Sequence, residues 1–153
     1  MVLVNFDDIY SRFYSKVEAL DVVTLIEEDA RDMMCEWLKS VKSHPKVRRL
    51  FSSINLNDTF SECTFTLKNP IDDDSDADFI TELFAVGIAW KWSEPKYFSA
   101  LNTMQFFGGK EEKFYSQANH MSALNELYLK GEENLIKTIR DYGYINNSYL
   151  RES

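Results

Sequence analysis

Cysteine is scarce in this 153-residue chain: Cys35 and Cys63 stand 28 positions apart and form no C-x-x-C pair. That excludes a disulfide framework and predicts two reduced thiols. Histidine is equally sparse, and the spacing of His44 and His120 against the two cysteines matches no zinc pattern. Five glycines and three prolines are too few for a fibrous or low-complexity chain. No apolar run approaches the roughly 18 to 20 residues that cross a bilayer. Met1 to Phe6 lacks the basic and apolar regions of a signal peptide, so the expectation is a soluble intracellular product with no membrane partner. Positive charge is also short. Against 25 acidic side chains there are 17 basic ones, a net charge of −8, which disfavours a general duplex-binding surface.

Chemical motifs are missing in the same way. No serine sits in a G-x-S-x-G elbow and no cofactor fingerprint occurs, so the chain is expected not to be an enzyme and to carry no cofactor. The aspartate run invites a calcium reading, but counting from Asp72 puts Ala77 at the sixth position, where the loop needs glycine. Leu83 then stands at the twelfth, where it needs glutamate. An acidic helix cap fits better, and no metal is expected. Gly108-Gly109-Lys110 lacks the first glycine of a phosphate loop, where Met104 stands, and has Glu111 in place of the magnesium-binding hydroxyl.

What is present is a patterned helical chain. With 44% apolar residues in 17.9 kDa, one core and one domain are expected. Phe6, Ile9, Tyr10, Phe13 and Val17 recur at helical spacing behind a capping Asn5, which predicts a helix to about Ala19. Its aromatic face needs a cover, from the core or from another chain. Thr24 and Glu27 form a capping box for a second helix with Ala30, Met33, Met34, Trp37, Leu38 and Val41 inward, ended by His44-Pro45. Lys46 to Arg49 is the densest positive charge. Its bland reading is a solvated basic turn; its sharper one makes Arg48 and Arg49 candidates for pairing with an acidic neighbour. Thr59 to Leu67 alternates as a strand, with Phe51 to Leu56 as its hairpin partner.

Asp76 and Asp78 suit a helix N-terminus. The stretch from Phe79 to Trp90 is apolar on nearly every face, which marks a central helix, and Gly87 lets neighbours approach it. Ser93-Glu94-Pro95 is expected to close that helix, with a shorter one over Tyr97 to Phe107. A proline-free pattern then runs from Lys110 to Tyr142, with Gly131 as a bend or break and Gly143 as a left-handed terminator. Phe13, Phe79, Phe84, Trp90 and Phe114 read as core. Tyr142, Tyr144 and Tyr149, interleaved with Asn146, Asn147 and Ser148 and followed by Leu150, suit anchors in a protein interface; the bland alternative is a frayed end. The reading is mainly α: residues 1–143 form one helical bundle with a long C-terminal helix and a small β-hairpin or strand insertion around 51–69. Residues 144–153 form a C-terminal tail.

Three segments then carry a resemblance. They are Phe84 to Pro95, ending in Trp-Ser-Glu-Pro; Phe106-Phe107-Gly-Gly-Lys-Glu-Glu-Lys-Phe-Tyr-Ser-Gln-Ala-Asn-His-Met; and Ile139-Arg-Asp-Tyr-Gly-Tyr-Ile-Asn-Asn-Ser-Tyr-Leu150. Together, across about Asp78 to Leu150, they resemble the head-to-tail adaptor, or connector, proteins of tailed bacteriophages. The resemblance implies a structural virion protein of the neck, at the capsid vertex, with assembly in the host cytoplasm. Its partners would be the portal protein, the next neck or tail component and copies of itself in a ring, often of twelve, through which DNA passes without specific binding. An adaptor works by interface geometry, so no catalytic residue carries over. The alternatives are another neck or tail-completion protein of the same virion, or, in a different class, a small acidic inhibitor that mimics DNA.

Overall fold

A computed structural model of the chain describes residues 1–17, 27–106, 126 and 128–145. In chain order these form β1 (Val2–Asn5), α1 (Phe6–Lys16), α2 (Glu27–Lys42), a short α3 (Pro45–Arg48), β2 (Phe51–Asn57), β3 (Glu62–Leu67), α4 (Asp73–Phe106) and α5 (Gly131–Ile145). The fold is mostly helical with a small antiparallel sheet of order β1-β3-β2.

The sheet is larger than the expected hairpin. Beside the β2–β3 pair, Val2-Leu3-Val4-Asn5 forms a third strand against β3, in the register Val2 to Phe65 and Val4 to Cys63. This explains how α1 begins. Asn5 occupies the N-cap position, yet its side chain makes no capping bond, because its backbone is still paired with Glu62. The next N–H, of Phe6, donates instead to the Ser61 carbonyl at 2.9 Å. Ser61 itself sits at φ 52°, a left-handed position in the β2–β3 turn, where Asn57 Oδ1 accepts the Thr59 and Phe60 N–H groups. Strand alternation aims Val4, Cys63, Phe65 and Leu67 into the core, with Phe51 beside them.

α4 is the axis of the molecule. Its residues Phe79, Ile80, Leu83, Phe84, Ala85, Ile88, Ala89 and Trp92 are all buried, and each direction around it has a cover. Phe51 of β2 stacks on Phe84 with ring centroids 6.5 Å apart, and Phe13 of α1 meets Trp92 edge-on at 6.2 Å. The aromatic face of α1 is thus covered by its own chain. Arg12 bonds Asp78 at 2.8 Å and Lys16 bonds Glu82 at 2.5 Å, which pins α1 along α4. From α2, the buried stripe Ala30, Met34, Leu38 and Val41 packs in as expected, while Trp37 is half-buried and Met33 is exposed.

Three boundary expectations are corrected. Ser93-Glu94-Pro95 does not end the helix, and no separate helix begins at Tyr97: α4 runs through Pro95 to Phe106. Proline removes one N–H from the ladder and disturbs the carbonyl four residues earlier. Here Pro95 lies on the exposed side, where water can take that carbonyl, while Trp92 and Ser93 are buried on the other side and hold the turn in place. The Ser93 hydroxyl also donates to the Trp90 carbonyl at 2.7 Å. Gly143 is not a left-handed terminator, since α5 continues through it to Ile145. The single long helix over Lys110 to Tyr142 is not shown: a turn at Lys130 precedes α5, and most of the stretch, including Phe114 and His120, lies outside the described residues. Thr24 lies outside them as well.

Gly87 is where α2 crosses closest. A Cβ there would sit 2.5 Å from Val41 Cγ1 and 2.6 Å from Cγ2. Gly87→Ala should therefore destabilise the fold by about 1–2 kcal/mol, overpacking outweighing the roughly 1 kcal/mol that alanine gains in a helix. In urea melts the double variant with Val41→Ala should lose less than the two single losses added together; simple additivity contradicts the contact.

Candidate interaction surface

The candidate interface residues that the structure describes lie toward opposite ends of α5. Arg48 closes α3 and Arg49 follows it, and both are exposed. Their turn is built by His44 and Pro45. Proline at the first helical position needs no N–H partner, and His44 Nδ1 accepts the Lys46 N–H at 3.2 Å. The other ring nitrogen, Nε2, lies 3.2 Å from Glu132 Oε1 at the start of α5. With Nδ1 an acceptor, Nε2 is the donor in that pair. Arg48 also donates to the Phe51 carbonyl at 3.2 Å, so one of the two guanidinium groups holds the entry to β2. Arg49 makes no ion pair among the described residues.

Beside this turn, Trp90 is a junction of three elements. His44 meets its indole edge-on with centroids 6.0 Å apart, and Lys91 Nζ lies 4.3 Å from the ring centroid. Gly131 is packed so closely that a methyl group on it would overlap the indole. The expected weak point at Gly131 is thus a helix start that only glycine fits. Trp90 is half-buried rather than a core residue. A groove of about 400 Å³ opens next to it, with Lys16, Asn134, Lys137 and Asp141 on its walls. Of these, Lys16 is already bonded to Glu82.

Tyr142 lies at the opposite end of α5 from Glu132, about 15 Å along the axis by helical rise. It is engaged with its own fold. Its ring stacks on Phe79 at 3.8 Å and 6°, and its hydroxyl donates to Asp76 Oδ1. Asp76 is only 1% exposed and also accepts the Ile71 N–H at 3.1 Å, so this carboxylate joins the loop before α4 to the end of α5. Burial, and then the bond to Asp76, push the Tyr142 phenol well above its ordinary value. Tyr144 lies in the last turn of α5, and Tyr149 and Leu150 lie outside the described residues. The structure therefore separates Arg48 and Arg49 from Tyr142. Sequence reading missed Asp76 as the partner of Tyr142, since nothing local links positions 66 apart.

The aspartate run is a helix cap, as expected. Asp72 accepts the Ser75 N–H at 2.7 Å and its hydroxyl at 3.0 Å, and these bonds hold the Asp72 carboxyl below the usual range. Among the described residues, no group of histidine, cysteine and carboxylate side chains is arranged to hold a metal ion. Both cysteines are free thiols. Burial pushes Cys63 up to about 12, and burial with a bond to Asp58 pushes Cys35 up to about 11, so both stay protonated and unreactive at neutral pH. No described helix is long and apolar enough to cross a membrane.

No family model matches the chain, and comparison with curated proteins and with solved structures finds no similar protein.

Two predictions follow from the geometry of α4 and its partners. Tyr142→Phe keeps the stack but strands a buried acceptor on Asp76, and should cost about 1–3 kcal/mol in denaturant unfolding. Because the folded-state pKa is raised, the wild-type advantage is full below the ordinary tyrosine value of about 10 and shrinks as pH rises through it. A gap that stays constant to high pH contradicts the bond. For Asp72→Ala the sign is reversed: the folded-state pKa is depressed, so the loss in melting temperature is seen at neutral pH and closes as pH falls below about 3.9. A loss independent of pH contradicts an ionised cap.

Proposed function

We propose that this chain is a structural assembly subunit, a head-to-tail adaptor of a tailed-phage neck, working as a ring of copies docked on a portal. The observation that carries the reading is the length of α4. Its 34 residues span about 51 Å, whereas a domain of this chain length is about 38 Å across. Ser93 is its last buried residue among those whose side chains are described. An element longer than the body that surrounds it is what a subunit uses to reach a neighbour or to buttress a channel.

The segments that resemble adaptor proteins fall on the middle of α4, Phe84 to Pro95, on its last residue Phe106, and on the second half of α5 from Ile139. Net charge supports the same reading. At −8 the ring would present few fixed cations to hold phosphates, so DNA could slide through. The candidates for partner contacts are Arg48 and Arg49 on the basic turn and Tyr144, Tyr149 and Leu150 at the tail. Tyr142 anchors that end of α5.

A DNA-mimicking inhibitor is the less favoured reading. Mimicry needs carboxylates left free along a surface. The 25 acids are instead dispersed among 17 basic side chains, and Asp78, Glu82, Asp58 and Asp7 are paired with Arg12, Lys16, Lys39 and Arg31.

The test is co-expression of the full chain with a tailed-phage portal protein from the same genome, followed by electron microscopy and native mass spectrometry; a genome that encodes no portal protein also overturns the reading. Portal rings should gain an added tier of this chain, and a truncation removing Tyr144 to Ser153 should leave the fold intact by circular dichroism while weakening that tier. Portal rings that stay bare at saturating chain overturn the reading.

A further inference from the structure

β2 is an edge of the sheet: one face packs on the core through Phe51, and among the described residues β3 is the one strand hydrogen-bonded to it. Proteins usually blunt such an edge with a lysine, a proline or a covering element. β2 reads Phe-Ser-Ser-Ile-Asn-Leu-Asn, with no charge and no proline. A register shift between Phe51 and Ser53 disturbs its start, and Ser53 to Asn57 pair regularly with β3. Within that stretch Ile54 and Leu56 share one face and are only half-buried, while Ser53, Asn55 and Asn57 alternate with them on the other.

Asn55 is the centre of this five-residue pattern. A second β2 laid antiparallel about a two-fold axis at Asn55 places Asn55 against Asn55, Ile54 against Leu56 and Ser53 against Asn57. Every apolar side chain then meets an apolar one, and every small polar side chain meets another.

Charge selects the same orientation. Lys46, Arg48 and Arg49 lead into β2, and Lys68 is beside them, its N–H bonded to the Leu50 carbonyl at 2.9 Å. The other end of β2 faces Glu62, which makes no ion pair among the described residues, and leads into Asp58, whose carboxylate is bonded to Lys39 at 2.8 Å. Antiparallel pairing of two copies sets the basic end of each against the acidic end of the other, whereas parallel pairing sets like against like. It also carries Phe60, 71% exposed on the turn after β2, toward the half-buried Leu50 of the other copy.

We propose that β2 is a self-association edge: two copies of the free chain pair antiparallel through Ser53 to Asn57, fusing their sheets across a two-fold axis at Asn55. The inference concerns the chain before it meets any partner and does not rest on the adaptor reading.

Directly opposed residues in an antiparallel pair have Cα atoms about 4.5–5.5 Å apart, within disulfide reach. The test uses the full chain with Cys35→Ser as background. Oxidised Asn55→Cys should run as a disulfide-linked dimer on a non-reducing gel. Ser53→Cys should not, because its counterpart in the other copy lies about 14 Å away, four residues along the strand. By sedimentation the unmodified chain should be a dimer, and Asn55→Lys, which opposes two ammonium groups at the axis, should weaken self-association several-fold. A chain monomeric at every concentration overturns the proposal. So does a dimer that Asn55→Cys leaves uncrosslinked, or equal crosslinking at Ser53→Cys.

Discussion

A helix that is apolar on every side cannot rest at a surface, and α4 imposes that constraint on the rest of the chain. Each neighbouring element is placed by the need to cover one of its sides: α1 by ion pairs at Asp78 and Glu82, α2 by the fit of Val41 to Gly87, the sheet by Phe51 on Phe84, and α5 by Tyr142 on Phe79. The hydrophobic contribution is collective and without direction. The few polar bonds and tight glycine contacts decide which cover goes where. Asp76 illustrates the division of labour, since a buried carboxylate stabilises only what it is bonded to, and it is bonded to the loop before α4 and to the end of α5.

Much of this was legible because it is periodic. The stripes of α1 and α2, the continuous apolar run of α4 and the alternation of β3 are all patterns within one segment, and each appears where its spacing places it. The features that escaped are those set by distant partners. Val2 to Asn5 is too short to announce a strand, and it becomes one because β3 offers an edge some sixty residues away. Pro95 carries a local stop signal, which is overridden because its face is exposed and the opposite face is anchored by Trp92. Tyr142 looked like an interface anchor because its own neighbourhood is polar, and its stacking partner lies on another helix.

The interaction surface was legible in part. The sequence offers Arg48 and Arg49 both as solvated charge and as candidates for an acidic neighbour; the structure leaves both exposed, and their meaning depends on what flanks them in space. They stand at one end of an uncharged strand edge whose other end is acidic, a polarity that only the fold displays. Two copies of a protein with a net charge of −8 repel each other, and a strand edge that carries no charge of its own adds nothing to that repulsion.

The most direct test of the organising role of α4 is native-state hydrogen exchange on the full chain. The amides from Phe79 to Trp92 should be the slowest in the protein, opening only with global unfolding, and should slow further than those of the β2 edge by several orders of magnitude. Exchange from this segment as fast as from α1 or β2 would show that the helix is not enclosed, and would remove the constraint from which the rest of the fold was argued.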